Sequence, residues 1–171
     1  IDFLLDGVLY GVAEDGMNQS VLITINCRTG AAVVVGTTGI DSNGDNDVIT
    51  DIAFDALGRL FAYVKFQNNP DELGILAPTT GAYTSLGITG LEDNGNGIGA
   101  RPFPFDTLYH TGSSLSNLDR TTGLANTFSG LTFVAPADNN PRINGLDADP
   151  FTNVMYASIN DDNDENYLGI L

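Results

Sequence analysis

Residues 49–88 read ITDIAFDALGRLFAYVKFQNNPDELGILAPTTGAYTSLGI. Four short apolar runs, 49–54, 60–66, 73–77 and 82–86, are separated by turn residues at 55–58, by the polar loop Asn68-Asn69-Pro70-Asp71 and by Thr79-Thr80-Gly81. Each run has strand length and β-branched or aromatic content, and none is long enough for a helix. Four antiparallel strands in succession form a meander, and a meander of this size is one blade of a β-propeller.

The same unit recurs through the chain. Leu22 to Gly30, Leu73 to Gly81 and Leu115 to Gly123 share one template in which a strand opens on Leu and closes on a turn ending in Thr-Gly. A tight turn needs a residue that accepts positive φ without steric cost, which is why glycine closes each copy. Leu168-Gly169-Ile170-Leu171 repeats Leu73-Gly74-Ile75-Leu76 letter for letter. Upstream of each copy stands an apolar pair, Leu9-Tyr10, Leu60-Phe61, Leu108-Tyr109 and Met155-Tyr156, at the roughly 50-residue spacing of propeller blades. Phe3 precedes Tyr10 by the same interval as Phe54 precedes Phe61, so the chain opens within a blade strand.

The expected architecture is therefore all-β: a β-propeller or propeller segment of about four blades, each a four-stranded antiparallel meander. Blade 1 covers 1–36, blade 2 49–88, blade 3 100–134 and blade 4 142–171, the last without its outer strand. Blade 3 is the least regular, because Pro102 and Pro104 cannot donate ladder hydrogen bonds. Its innermost strand is expected at Phe103-Pro104-Phe105, short or bulged. Alternate strand residues, among them Phe3, Leu9, Ile23, Ile52, Phe54, Leu60, Ile75, Phe105, Leu108, Leu146, Met155 and Leu168, are expected to be buried between blades.

Composition bounds the function. The 171 residues carry a net charge of −16, with 22 Asp plus Glu against 6 Lys plus Arg, so nucleic acid and anionic membranes are repelled. No apolar run reaches the length of a membrane span. Such acidity suits an extracellular or cell-surface setting, or simply a solvated loop surface. Cys27 is the single cysteine and excludes an intrachain disulfide; it stands in a turn where sister copies carry Pro78 and Asp119 or Arg120.

One loop has metal-ligand spacing. Asp41, Asn43 and Asp45 place oxygens at i, i+2 and i+4, and Asp47 adds a carboxylate, a pattern that points to calcium. The sixth and twelfth positions counted from Asp41 hold Asn46 and Ile52 rather than Gly and Glu, so the match to a calcium loop covers its first half, and an Asx-turn loop is the alternative. The corresponding loop with Glu92, Asp93, Asn94 and Asn96 offers fewer carboxylates, and Asp161, Asp162, Asp164 and Glu165 read as a hairpin tip. The one histidine, His110, could serve as a general base with Asp106, against the ordinary role of a strand-end residue hydrogen-bonded in a turn. No nucleophile elbow, zincin motif or phosphate loop is present in the sequence.

Asn144-Gly-Leu-Asp-Ala-Asp-Pro150 followed by Val154-Met-Tyr-Ala157, together with the strand phrases ending in Thr-Gly, resembles the blades of secreted or surface-attached bacterial and archaeal β-propeller proteins. That resemblance implies the architecture and no single activity, because the group includes adhesive and surface-layer components alongside lyases and lactonases. The expectation is a non-catalytic extracellular propeller with a structural, adhesive or assembly role, including a surface or filament subunit that self-associates through open blade edges. The alternatives are a propeller enzyme, a lyase or metal-dependent hydrolase, and a ligand-binding module.

Overall fold

The computed structural model describes residues 1–4, 7–41, 47–91, 97–101, 107–111, 114–130, 142–149, 152, 154–160 and 166–170. The chain forms four antiparallel sheets in a four-blade propeller-like arrangement. Blade 1 holds β1 (Asp2–Phe3), β2 (Leu9–Glu14), β3 (Gln19–Ile25) and β4 (Ala32–Asp41). Blade 2 holds β5 (Val48–Phe54), β6 (Leu60–Lys65), β7 (Glu72–Leu76) and β8 (Tyr83–Ile88). Blade 3 holds β9 (Gly97–Arg101), β10 (Thr107–Thr111), β11 (Ser114–Leu118) and β12 (Ala125–Gly130). Blade 4 holds β13 (Arg142–Ala148), β14 (Met155–Asn160) and β15 (Asn166–Ile170), three strands with no outer one among the described residues. Strands follow one another across every sheet in chain order, and the first strands β1, β5, β9 and β13 pack in succession along the axis.

Burial follows from how many neighbours a strand has. β6 lies inside blade 2, between blades 1 and 3, and Leu60, Phe61, Ala62, Tyr63 and Val64 are all fully buried. Side chains on both faces of this strand meet a neighbouring blade, so its sequence is a continuous apolar run rather than an alternating one. Leu60, Ala62 and Val64 join Phe54 and Leu76 against Leu22, Tyr10 and Val12 of blade 1. Phe61 and Tyr63 join Leu73 against Ile98, Leu108 and Leu118 of blade 3. β14, in the last blade, alternates instead: Met155, Ala157 and Ile159 are buried, Tyr156 is half-buried and Ser158 is exposed.

The register confirms the repeat. Phe3 pairs with Leu9 as Phe54 pairs with Leu60, and Ile25, Leu76 and Leu118 pair with Leu9, Leu60 and Leu108. Ile52, Phe54, Leu60, Leu108, Leu146 and Met155 are buried as expected, and Leu9, Ile23 and Ile75 are half-buried. Phe3 and Leu168 depart from the expectation, at 53% and 77% exposed. Each lies on a face of blade 1 or blade 4 that no other sheet covers among the described residues. Phe105 falls outside the described residues.

Two strands run differently from the sequence reading. The inner strand of blade 3 is Gly97–Arg101, upstream of Phe103-Pro104-Phe105, and Ala100 opposite Leu108 takes the place of Phe54 opposite Leu60. Its glycines let blade 4 approach closely: a Cβ on Gly99 would stand 2.8 Å from the Cβ of Leu146. Blade 1 also extends past residue 36, with β4 continuing to Asp41. The Thr38 hydroxyl donates to Ser20 O at 2.9 Å and accepts the Ile40 N–H at 3.1 Å, which ties the strand back to β3 where the regular ladder shifts register.

Candidate functional site

Near the axis, carboxylates reach from one blade to the backbone of the next. Asp2 Oδ2 accepts the N–H of Phe54 and its Oδ1 accepts the N–H of Phe3 at 2.7 Å. Asp51 Oδ2 accepts the N–H of Ile98 at 3.0 Å and its Oδ1 that of Ile52 at 2.9 Å. The first bond of each pair crosses a seam, joining blade 1 to blade 2 and blade 2 to blade 3. Asp147 of blade 4 accepts the N–H of Ala148 at 2.8 Å.

Burial pushes Asp2 up to about 6, opposed by the N–H groups of Phe54 and Phe3, with Asp147 adding repulsion and the chain's α-ammonium opposing it. Burial also lifts Asp51 to about 6 against the Ile98 N–H, the α-ammonium 3.8 Å from Oδ1 and the Ile52 N–H, while Asp2 repels it. A folded-state pKa above the free value of 3.8 means that the native protein binds these protons more tightly than the unfolded chain does. Their contribution to stability is full below the free pKa and is lost as pH rises through about 6. The protein is expected to melt several degrees higher near pH 5 than near pH 7.5, and Asp51→Asn to flatten that slope. Scanning calorimetry at both pH values checks this; equal slopes in the two proteins would dismiss the role of Asp51.

A second charged cluster sits in the seam between blades 2 and 3. The Asp55 side chain is fully buried, and its Oδ1 accepts the N–H groups of Leu57 and Arg59, each at 2.9 Å, closing the β5–β6 turn. Its Oδ2 accepts Nε of Arg59 at 2.7 Å and Nη1 of Arg120 at 3.1 Å, with Arg59 Nη2 at 2.6 Å. Arg59 also lies over Phe61, its guanidinium carbon 5.3 Å from the ring centre. Arg120 comes from the β11–β12 turn of the next blade. Both guanidinium groups border a cavity of about 380 Å³ that Thr107, Asn117, Asp119 and Thr121 also line. The N–H groups of Thr121 and Thr122 hold the Asp119 carboxyl below its usual range, so that rim stays anionic.

The loop singled out for calcium is described only at its ends. Asp41 closes β4 and is half-buried, and Asp47, also half-buried, accepts the Gln67 N–H on Oδ1 at 3.1 Å. Asn43 and Asp45 lie outside the described residues, as do Glu92, Asp93, Asn94 and Asn96, and Asp161, Asp162, Asp164 and Glu165. Among the described residues no three His, Cys, Asp or Glu side chains gather as a metal-ligand group. His110 is fully buried in β10 and stacks on Tyr63, with centroids 4.4 Å apart; Asp106 is outside the described residues. Cys27 is exposed. Asn26, Ala77 and Asp119 each accept, on the carbonyl, the N–H of the turn glycine, so Cys27 aligns with Pro78 and Arg120.

Sequence reasoning missed both the axis carboxylates and the Asp55 pair. An Asp and an Arg flanking Ala-Leu-Gly in one hairpin turn was the visible signal for Asp55–Arg59. Nothing local marks Arg120, 65 residues away, as the third member.

No protein-family description matches the chain, and no curated protein does. Among solved structures, the extracellular domain of the hybrid two component system BT4673 from B. thetaiotaomicron superposes with a TM-score of 0.50 at 15% identity. The match covers 99% of this chain and 21% of that one. The two share a fold. The chain spans about a fifth of the length of that structure, and among the described residues no helix is long and apolar enough to cross a membrane.

Proposed function

We propose that this chain is a non-catalytic extracellular β-propeller module with a structural, adhesive or assembly role, exercised by self-association. The observation that carries the reading is uncovered apolar surface on the terminal blades. Leu168 and Ile170 of blade 4 are 77% and 70% exposed, and Ile1 and Phe3 of blade 1 are 72% and 53% exposed. Large exposed apolar groups on neighbouring positions of a sheet mark interaction surface. The β15 edge of blade 4 has no further strand paired to it among the described residues, and an open edge recruits strands. An extracellular setting is in keeping with the net charge of −16 and with the extracellular domain that shares the fold.

Sedimentation velocity across a concentration series tests the reading. The expected result is a rise in weight-average mass with concentration, and a constant monomer mass would overturn it. Running the series with calcium and with chelator also bears on the proposed calcium ligands Asp41, Asn43, Asp45 and Asp47, since a bound cation would offset the charge of their carboxylates. A ligand-binding role has one observation in its favour, the polar cavity of about 380 Å³ between Arg59 and Arg120, which is of a size that small-molecule sites use.

A further inference from the structure

The two faces of a blade are unlike, and consecutive blades always join one kind to the other. The first kind carries Phe54, Leu60 and Leu76 in blade 2, Ala100, Leu108 and Leu118 in blade 3, and Ala148 and Met155 in blade 4, and it packs against the preceding blade. The second kind carries Tyr10 and Leu22 in blade 1, Phe61 and Leu73 in blade 2, and Tyr109 and Leu115 in blade 3, and it packs against the following blade. Among the described residues, one copy of each kind has no blade against it. Blade 1 leaves open its first-kind face, with Phe3 at the register position of Phe54, Leu9 at that of Leu60 and Ile25 at that of Leu76. Phe54 is 7% exposed and Phe3 53%. Blade 4 leaves open its second-kind face, where Leu168, 77% exposed, stands at the position of the fully buried Leu73.

Resting on the self-association reading, we propose that the open face of blade 4 receives the open face of blade 1 from a second copy of this chain, joining copies head to tail in the register of the internal seams. What covers such a face is already built three times within the molecule, and this chain carries both of the complementary faces. The polar positions of the two end blades also correspond. Asp2 faces Tyr10 across the β1–β2 ladder and Asp147 faces Tyr156 across the β13–β14 ladder, so the two carboxylates occupy one position. Asp2 accepts the Phe54 N–H of the following blade. Asp147 is exposed on the open face, at the position from which Asp2 reaches the following blade. Because the joined faces differ, the contact is heterologous, and it closes into a ring or runs on as a filament.

The test uses two variants of the full chain, Phe3→Asp and Leu168→Asp. Both residues are exposed, so both variants are expected to fold, which circular dichroism verifies. Each alone should associate at least roughly tenfold more weakly than the parent in sedimentation velocity. An equimolar mixture should regain dimers, because the intact blade 4 of Phe3→Asp meets the intact blade 1 of Leu168→Asp. If the parent associates while either variant still associates as it does, or while the mixture stays monomeric, the head-to-tail geometry is overturned and the self-association reading stands. A parent that is monomeric throughout overturns both.

Discussion

Asp55→Ala is expected to cost about 3–5 kcal/mol of folding stability, a lowering of the melting temperature by roughly 10 °C for a domain of this size. The side chain is fully buried and serves four donors at once: the backbone N–H groups of Leu57 and Arg59, and the guanidinium groups of Arg59 and Arg120. Removing it leaves the turn without its internal acceptor. It also leaves two cations in one seam with no anion between them, and an unpaired partly buried charge is costlier than the pair was beneficial. Asp55→Asn should cost less, since the amide oxygen can still accept from the turn N–H groups. Arg120→Gln should cost least, about 1 kcal/mol, because Arg120 is 22% exposed and Asp55 keeps Arg59. Urea denaturation of the three variants checks the order. A loss in Asp55→Ala no larger than in Arg120→Gln would show that the turn, and with it the seam, does not depend on the carboxylate.

Gly81→Ala is expected to destabilise by more than about 3 kcal/mol, while Gly30→Ala, in the matching turn of blade 1, should cost only about 1–2 kcal/mol. Both glycines have left-handed backbone, φ +79° and +71°, so both substitutions carry the same conformational penalty. They differ in what an added methyl group meets. At Gly81 the Cβ would stand 2.6 Å from the carbonyl oxygen of Gly36 in the outer strand of blade 1, whereas at Gly30 nothing lies within 4 Å. Gly123, at φ +77°, repeats the close case, its Cβ falling 2.5 Å from Gly87 O of blade 2. Backbone on both sides leaves no side chain that could swing away, so blades 1 and 2 would have to separate. Thermal melts of Gly30→Ala, Gly81→Ala and Gly123→Ala give the comparison directly; equal losses in all three would mean that the turns do not bear on the preceding blade.

These expectations show what a sequence of this kind reveals. Leu60-Phe61 and its counterparts, and the turns closed by Gly30, Gly81 and Gly123, repeat because every blade must build the same second strand and the same β3–β4 type of turn. Periodicity alone therefore gave the blade count, the strand order and most of the core. Blade 3 broke the pattern where the inner strand was expected at Phe103-Pro104-Phe105, because prolines cannot donate to an inner-strand ladder, and Ile98-Gly99-Ala100 took that place. The burial of Phe3 and Leu168 was misjudged for another reason: a repeat states which face a residue occupies, not whether a neighbour is there to cover it. The polar links were hidden because each joins different blades. Asp2 to Phe54, Asp51 to Ile98 and Asp55 to Arg120 are separated by 52, 47 and 65 residues, and no local spacing rule reaches that far. Of the loop proposed for calcium, Asp41 and Asp47 are placed at the two flanks.

The alignment of Cys27 with Arg120 has a practical consequence. In blade 3 that position reaches across a seam to Asp55 in the preceding blade; in blade 1 it is an exposed thiol, the one cysteine of the chain. An environment-sensitive fluorophore coupled there would sit at the border of the open face without any engineered residue. The native chain thus carries an attachment point for a reporter of the head-to-tail contact proposed above.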